Sequence, residues 1–269
     1  MKKISRRSFL AAAGLSVAAL ALTACGGSSA STASSVASSA ASSEAASTSA
    51  AAGELTTVEA GKLTMATNAA FPPYEMTTDA GEFEGIDIET AQAIADKLGL
   101  ELQIDDMDFD AALLSVQQGK ADIVMAGVTV TDERKAVMDF SDSYATGIQS
   151  IIVPEGSDIA SPDDLAGKKI GTQRGTTGYI YCSDDFGDDN VVAYDDGLTA
   201  VQALNNGQVD AVVIDNAPAQ EFVAANPGLV ILDTSYAEED YAIGMAKGSS
   251  LEDAVNATLE ELKADGTLQ

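Results

Sequence analysis

Apolar runs alternate with amphipathic segments along the chain from about residue 58 onward. Three of the runs are rich in β-forming residues: LTMAT (63–67), LQID (102–105) and ADIVMAG (121–127). Between them, GIDIETAQAIADKLGL (85–100) and FDAALLSVQQGK (109–120) carry apolar residues at helical spacing. Strands that alternate with helices in this way predict an α/β fold.

The same order of elements returns in the second half of the chain. Strand patterns occur at KKIGT (168–172), VVAYD (191–195) and DAVVID (210–215), and helical patterns begin near Thr177, at GLTAVQALNNGQ (197–208) and at NAPAQEFVAAN (216–226). The phrases SVQQGKADIVMAG and ALNNGQVDAVVID both read helix, glycine turn, aspartate and apolar strand. Two halves of roughly one hundred residues each predict two small lobes rather than one large sheet.

The amino-terminal segment has the pattern of an export signal. Basic residues in MKKISRRSF precede the apolar run LAAAGLSVAALAL (10–22), which is short for a membrane span and typical of a secretory signal peptide. The run ends at LTAC (22–25), which resembles a bacterial lipobox and predicts cleavage before Cys25 and lipid attachment to its thiol. The alternative is an ordinary signal peptide with an incidental cysteine. SRRSFL also resembles a twin-arginine motif, so either the Sec or the twin-arginine route fits.

Residues 26–57 are dominated by Ser, Ala and Thr and lack bulky apolar side chains over most of their length. Such a composition predicts a flexible tether between the lipid-bearing cysteine and a globular body. The second cysteine of the chain, Cys182, would then have no disulfide partner and is expected to be a semi-buried bystander.

The charge of the chain limits the functions that it can have. It contains 42 acidic and 14 basic residues and no histidine, for a net charge of −28. Such a surface disfavours binding to nucleic acid and electrostatic docking to membranes. The absence of histidine removes the usual general base and the commonest metal ligand. After removal of the predicted signal, Arg134 and Arg174 are the only arginines left.

Five motifs together resemble one protein family. They are ATNAAFPPYEM (66–76), FEGIDIE (83–89), QQGKADIVMAGVTVTDERKAVMDFSDSY (117–144), KKIGTQRGTTG (168–178) and VDAVVIDNAPA (209–219). From residue 61 to about 265 the chain resembles the extracellular solute-binding proteins, family 3, of bacterial polar amino-acid ABC importers. The third motif is the most specific of the five.

The resemblance implies an α/β fold of the periplasmic-binding-protein type, with two lobes that are each a βα sandwich and a ligand cleft between them. The chain would cross between the lobes twice, at SIIVPEG (150–156) and YAIGMAKG (241–248). The first lobe would comprise 58–149 and 246–269, and the second 150–245. Relatives usually continue beyond a phrase such as ELKADGT with a further aromatic-rich helix, so the chain departs from the family pattern at GTLQ, and whether it is truncated there is left open by the sequence.

Arg134 matches the arginine that holds the ligand's carboxylate in this family. A guanidinium can give a carboxylate two parallel charge-assisted hydrogen bonds, which a lysine cannot reproduce. Asp215 matches the acceptor of the ligand's ammonium group. The alternatives are a surface charge for Arg134 and a helix N-cap for Asp215. The remaining residues expected around the ligand's polar groups are Ala126, Gly127 and Thr129, with backbone amides from the last two, and Thr176 and Thr177 at a helix N-terminus.

The side chain of the ligand is less well defined by the sequence. Phe71 and Phe109 match aromatic positions that enclose it in relatives, with ordinary core packing as the alternative. Asn68 stands where many binders of basic amino acids have a charged contact, and Ile214 precedes Asp215, so a neutral ligand such as glutamine is preferred. Gln173 is a candidate for reading the side chain, and Arg174 would favour an acidic ligand if it faced the pocket. Acidic amino acids, basic amino acids and cystine remain alternatives.

Two other classes of function share parts of this pattern. Some proteins of this fold are enzymes such as cyclic-acid dehydratases, but an enzyme needs an acid and a base together in the cleft, and no convincing carboxylate pair is evident. A lipid-anchored adhesive protein would not need both Arg134 and Asp215. We therefore expect an exported, monomeric binding protein without catalytic residues, cofactor or metal, which partners the permease and ATPase of an importer and contacts the membrane only through its lipid.

Overall fold

The computed structural model describes residues 55–268. The predicted signal peptide, Cys25 and nearly all of the predicted tether lie outside these residues. No helix within the described range is long and apolar enough to span a membrane.

The described part of the chain contains fourteen strands and seven α-helices. Its first part consists of β1 (Lys62–Thr67), β2 (Ala70–Phe71), β3 (Glu75–Thr77), β4 (Phe83–Glu84), α1 (Ile86–Leu98), β5 (Glu101–Asp106), α2 (Phe109–Gln117), β6 (Ile123–Val124), α3 (Asp132–Lys135) and β7 (Met138–Phe140). The middle part consists of β8 (Ala145–Pro154), β9 (Ile170–Gln173), α4 (Thr177–Phe186), β10 (Val191–Tyr194), α5 (Gly197–Asn205), β11 (Ala211–Asp215), α6 (Asn216–Ala225), β12 (Leu229–Ile231) and β13 (Ala237–Tyr241). The chain ends with β14 (Gly244–Ala246) and α7 (Glu252–Asp265); short 3-10 turns occur at Pro162–Leu165 and Asp188–Asn190.

The first lobe is built on a five-stranded sheet in the order β5-β1-β6-β14-β7. β1 is parallel to both β5 and β6, whereas β14 is antiparallel to its neighbours. Leu63 and Met65 of β1 are completely buried, as are Ile94 of α1 and Ile123 of β6. A small antiparallel sheet of β2, β3 and β4 lies beside this core. The first lobe therefore has the mixed α/β organisation that the apolar pattern predicts.

The second lobe is built on a six-stranded sheet in the order β10-β9-β11-β8-β12, with β13 also paired to β8. β9, β10 and β11 are parallel, and β8 is antiparallel to β11, β12 and β13. Carboxyl ends of parallel strands commonly carry ligand-binding residues in such sheets. Gln173 and Asp215 are the last residues of β9 and β11.

The first chain crossing lies earlier than the segment expected for it, and the second lies within its expected segment. β7 belongs to the first sheet and β8 to the second, so the first crossing is 141–144 rather than 150–156. Ile151, Ile152 and Val153 are buried strand residues of the second lobe, because β8 continues to Pro154. The second crossing is limited to 242–243, since β13 and β14 lie in different sheets. Residues 145–149 therefore lie with the second lobe, and 244–245 with the first.

A glycine determines how α1 meets the loop before it. Gly85 has a φ of 126°, and a Cβ atom there would lie 2.3 Å from the carbonyl oxygen of Tyr74. The close approach allows Ile86 N–H to donate to Pro73 O at 3.1 Å and Asp87 N–H to donate to Tyr74 O at 2.8 Å. Any side chain at Gly85 would push these segments apart. The glycine thus brings the first turn of α1 against the start of β3.

Candidate ligand-binding site

A cavity lies between the two lobes and collects almost all of the residues singled out in the sequence. Its lining comprises Asn68, Phe71, Glu75, Phe109, Ala126, Gly127, Thr129 and Arg134 from the first lobe and Gln149, Gln173, Thr176, Thr177, Val213, Ile214 and Asp215 from the second. The space left between these side chains holds about one water molecule. The lobes are therefore closed on each other, and a ligand of amino-acid size requires them to separate.

Arg134 is the cation of this cavity. It lies in α3, whose N-cap Thr131 accepts a hydrogen bond from the Arg134 backbone N–H at 3.2 Å. Its side chain is 8% exposed; Nη1 donates to Thr129 O at 2.8 Å and Nη2 donates to Gly175 O of the second lobe at 3.2 Å. The guanidinium carbon lies 5.3 Å from the ring centre of Phe109. These contacts contradict the alternative of a surface charge.

The guanidinium has no paired carboxylate. Within residues 55–268, no ion pair includes Arg134. Burial lowers the pKa of Arg134, and the nearby charge of Glu239 opposes that effect. A buried guanidinium whose acceptors are backbone carbonyls can gain a stronger, charge-assisted partner when an anion enters.

Two threonines from opposite lobes meet beside Arg134, and a carboxylate lies against both. The hydroxyls of Thr129 and Thr177 are 3.5 Å apart and donate to Glu239 Oε2 at 3.2 and 2.9 Å, while Gln149 Nε2 donates to the same oxygen at 3.0 Å. Glu239 lies on β13 and is buried. Neither Glu239 nor Gln149 was selected from the sequence, because their long-range contacts leave no mark in the local pattern.

The backbone amide of Gly127 is engaged differently from the expectation. It donates to Asp87 Oδ2 at 3.1 Å, so this N–H is occupied by the protein itself rather than free for a ligand carboxylate. Gly127 has a φ of 55°, and a Cβ atom there would lie 2.8 Å from the ring of Phe71. The residue therefore allows close packing beneath the cavity.

The Asp215 carboxyl accepts hydrogen bonds from the side chains of Gln149 and Tyr241. Gln149 Nε2 donates to Oδ2 at 2.8 Å, and the Tyr241 hydroxyl donates to Oδ1. Although Asp215 occupies the N-cap position of α6, its side chain makes no capping hydrogen bond. Burial, together with the charge of Glu239, raises the pKa of Asp215 to about 6, although the hydrogen bonds from Tyr241 and Gln149 oppose this rise. The carboxyl is thus directed into the cavity instead of serving the helix.

Two amides connect the lobes at another part of the cavity. Gln173 Nε2 donates to Asn68 Oδ1 at 2.8 Å, and Asn68 Nδ2 donates to Met107 O at 2.9 Å.

Two further predicted residues also lie in the cavity lining. Thr176 caps α4 by accepting from the Tyr179 N–H at 3.3 Å. Phe71 is 7% exposed and stacks on Tyr74 with ring centres 6.0 Å apart.

Arg174 is the one predicted residue that lies outside the cavity lining. Its side chain is 53% exposed and pairs with Asp195 Oδ1 at 3.4 Å. The guanidinium is turned toward the surface of the second lobe, so the structure removes the reason to expect an acidic ligand from this residue. The other cysteine, Cys182, is buried in the second lobe.

A pair of acids lies beneath the cavity. Glu75 and Asp87 are each 0% exposed. Asp87 Oδ2 accepts from the Tyr144 hydroxyl at 2.9 Å as well as from Gly127, whereas Asp87 Oδ1 and both oxygens of Glu75 have no hydrogen-bond partner in the described residues. Burial, with the charge of Asp87, raises the pKa of Glu75 well above its usual value, and burial raises that of Asp87 to about 6. The sequence did not single out this pair, and of its two members only Glu75 lines the cavity.

Comparison with known proteins agrees with this geometry. The model of the bacterial extracellular solute-binding proteins, family 3, matches residues 63–269. The chain belongs to this family. The predicted family and the predicted two-lobed α/β fold are confirmed.

Three relatives illustrate the range of ligands among similar proteins. The L-cystine-binding protein of Escherichia coli K12 is 33% identical over 216 residues, which cover 78% of this chain and 81% of that protein. An ancestral arginine-binding protein bound to glutamine is 42% identical, with a TM-score of 0.74 over 77% of this chain and 94% of that one. An amino-acid ABC transporter substrate-binding protein from Streptococcus pneumoniae, bound to L-arginine, is 39% identical, with a TM-score of 0.74 over 77% and 91%.

Proposed function

We propose that this chain is the extracytoplasmic substrate-binding subunit of an ABC importer and that it captures a polar amino acid between its two lobes. The observation that carries this proposal is the burial of Arg134 and Asp215 in one cavity, each 8% exposed and contributed by a different lobe. A free amino acid carries a carboxylate and an ammonium on one carbon, so it complements one buried cation and one buried anion.

Arg134 would meet the ligand's carboxylate, and Asp215 its ammonium. The guanidinium can replace its bonds to the Thr129 and Gly175 carbonyls with bonds to an anion, which are stronger than bonds to neutral acceptors. Thr129 and Thr177 would add hydroxyl donors after releasing Glu239. Because each lobe supplies only part of these contacts, the closed state gains the full set only when ligand is present.

A neutral, glutamine-like ligand is supported by the amides at the far part of the cavity. Asn68 and Gln173 are uncharged and bond to each other across the lobes, and Ile214 adds an apolar wall. An amide side chain of the ligand could exchange donors and acceptors with both. The exposed position of Arg174 speaks against an acidic ligand.

A cationic ligand is the second candidate, and Glu75 favours it. Glu75 lines the cavity, and its two carboxyl oxygens have no partner in the described residues. A guanidinium or ammonium at the end of a ligand side chain could satisfy them, and the ring of Phe71 could flank its aliphatic part.

Transport rather than catalysis fits the acid pair as well. Glu75 and Asp87 are sealed from solvent in the closed state, and the relatives named above are binding proteins. We propose that the chain has no enzymatic activity and works as a monomer with a permease and an ATPase.

We also propose that a lipid on Cys25 anchors the protein to the membrane through the tether. Cys25→Ser should release the protein from membranes, whereas wild-type protein that is wholly soluble in the exporting cell would contradict the anchor.

The decisive experiment is a thermal-shift screen of the exported part of the chain against the twenty amino acids. A ligand present at a hundred times its dissociation constant should stabilise the folded state by about 2.7 kcal/mol. Solution scattering on the same samples should show a smaller radius of gyration for the ligand-bound protein, and an unchanged radius at saturation would count against closure of the lobes around the ligand. If no amino acid raises the melting temperature, the proposed function is wrong.

A further inference from the structure

Glu75 and Asp87 form an acid pair whose position follows from the backbone. Glu75 is the first residue of β3, Asp87 lies in the first turn of α1, and Asp87 N–H donates to the carbonyl of Tyr74, the residue just before Glu75. Three of their four carboxyl oxygens have no partner among the described residues. Such oxygens are rare in buried sites, and each one calls for an explanation.

The groups around the pair offer no compensating positive charge. The titratable groups that act on the two carboxyls are the acids Asp106 and Asp215 and the phenols Tyr74 and Tyr144. The backbone N–H of Gly127 is the other group that acts on Asp87. No lysine or arginine of residues 55–268 forms an ion pair with Glu75 or Asp87. Two bare carboxylates side by side in such a place would cost several kcal/mol, so one carboxyl retains its proton.

A single proton resolves two of the three unpaired oxygens. The side chains of Glu75 and Asp87 lie within hydrogen-bonding reach of each other, so an O–H on Glu75 can donate to the Asp87 carboxyl. Oδ1 is the oxygen of Asp87 that has no other partner, since Oδ2 accepts from Tyr144 and Gly127. The remaining oxygen of Glu75 is left as an acceptor at the wall of the cavity. In this state the pair carries one negative charge and accepts a hydrogen bond from whatever occupies the cavity.

We propose that the ligand-free protein holds this proton on the Glu75–Asp87 pair and releases it when a cationic amino acid binds. The O–H bond of Glu75 breaks, the proton passes to solvent, and the carboxylate that remains pairs with the ammonium or guanidinium of the ligand's side chain. One positive charge replaces another, so the charge of the closed cavity does not change. A neutral side chain would leave the proton in place. This inference rests on the proposed function and assigns its second ligand class to Glu75.

The exchange predicts how many protons are released when each ligand binds. Binding of L-arginine should release about one proton near neutral pH, and its affinity should rise up to tenfold for each unit of pH while the pair still holds the proton. Binding of L-glutamine should release none, and its affinity should be nearly flat above pH 7, where Asp215 is already ionised. A structural role for the two acids would produce neither difference.

Isothermal titration calorimetry in phosphate and in Tris at pH 7 measures the released proton, because the two buffers differ in their heat of protonation. L-arginine and L-glutamine are the probes, and the exported part of the chain is the sample. A difference between the buffers equal to about one proton for L-arginine, with none for L-glutamine, supports the proposal. L-arginine binding without proton release overturns it, as does an absence of L-arginine binding while another amino acid binds.

Glu75→Gln provides the matched variant. Glutamine keeps the shape of the side chain but has no proton to exchange, so the proton release should disappear and L-arginine affinity should fall at least tenfold while L-glutamine binding stays within threefold. Glu84→Gln is the control, because Glu84 is an exposed residue on β4, which pairs with β3. If Glu75→Gln does not fold, the wild-type calorimetry alone decides the question. A complete lack of amino-acid binding would instead be a failure of the proposed function.

Discussion

The two ends of the cavity differ in how well the protein satisfies its own polar groups. At the arginine end, formed by Arg134, Thr129, Thr177 and Glu239, the guanidinium and both hydroxyls have protein partners. At the acid end, where Glu75 lines the cavity and Asp87 and Tyr144 lie behind it, three carboxyl oxygens have none. At the arginine end, the Glu239 carboxylate thus accepts hydrogen bonds that a ligand carboxylate could accept. At the acid end, unpaired carboxyl oxygens remain as acceptors for a ligand.

This difference separates the binding of any amino acid from discrimination between amino-acid side chains. The partners at the arginine end can be exchanged for the carboxylate that every amino acid carries, so this end holds any member of the class. The unpaired oxygens at the acid end discriminate between side chains, because a buried acceptor rejects a ligand that cannot donate to it. We infer that affinity comes chiefly from the first end and selectivity from the second.

Removal of the guanidinium should have the largest effect on binding. Arg134→Ala leaves a ligand carboxylate buried without its partner, which costs about 3–5 kcal/mol, or roughly two to three and a half orders of magnitude in affinity. Arg134→Lys should recover only part of this loss, since an ammonium lacks the planar fork. Calorimetry with the ligand found by screening measures both variants.

Arg174→Ala is the matched control for that measurement. The Arg174 side chain is 53% exposed and contacts Asp195, so its removal should change affinity by less than about 0.5 kcal/mol. Binding by Arg134→Ala within threefold of wild type would show that the arginine end does not hold the carboxylate.

The two ends were not equally predictable from the sequence. Arg134, Thr129 and Asp215 lie within continuous motifs, and their roles follow from charge chemistry together with the family pattern. Glu239 lies beside Gln149 because β13 pairs with β8, and there it also accepts a hydrogen bond from Thr177. Glu75 and Asp87 meet because Gly85 lets α1 approach the loop before β3. Each half of these long-range contacts is an ordinary acid or amide in its local sequence. The early start of β8 was missed for the same reason, since its pairing with three strands extends it beyond the apolar run.

The acid end should make the protein less stable as pH rises. The pKa of Asp87 is about 6 in the folded protein and near 3.8 without burial. Its contribution is fully favourable below about pH 4, where both states are protonated, and is lost as pH rises through about 6, because the unfolded state ionises first. Asp87→Asn keeps an oxygen for Tyr144 and Gly127 but has no proton to lose.

Urea unfolding at pH 4, 5, 6 and 7 tests this expectation. The free energy of unfolding of Asp87→Asn, relative to wild type, should rise by on the order of 2–3 kcal/mol across the series. Glu89→Gln, at an exposed position two residues further along α1, should follow the wild-type curve. If the free energies of unfolding of Asp87→Asn and wild type change in parallel with pH, ionisation of Asp87 does not destabilise the folded protein.

Asp215 interacts with both ends, since its charge raises the pKa of Glu75 and the charge of Glu239 raises its own. Asp215→Asn retains an acceptor for Tyr241 and Gln149 but loses the charge that would hold the ligand's ammonium. We expect a loss of about 2 kcal/mol, or roughly thirtyfold in affinity. Wild-type affinity should also rise as pH passes upward through about 6, where Asp215 ionises. An Asp215→Asn affinity equal to that of wild type at pH 7 would assign the ammonium to another acceptor.

Glu239 should produce the smallest change, with the opposite sign. Thr129 and Thr177 each have a single hydroxyl proton, and both donate it to Glu239 Oε2 in the closed protein. A ligand carboxylate that uses these hydroxyls must displace Glu239 and then lie beside its negative charge. Glu239→Gln keeps an oxygen acceptor but removes the charge, so binding should tighten by about 1 kcal/mol, or roughly fivefold. Calorimetry on Glu239→Gln, with exposed Glu238→Gln from the same strand as control, gives the sign directly. Weaker binding by Glu239→Gln alone would show that Glu239 supports the ligand site instead of competing with the ligand's carboxylate.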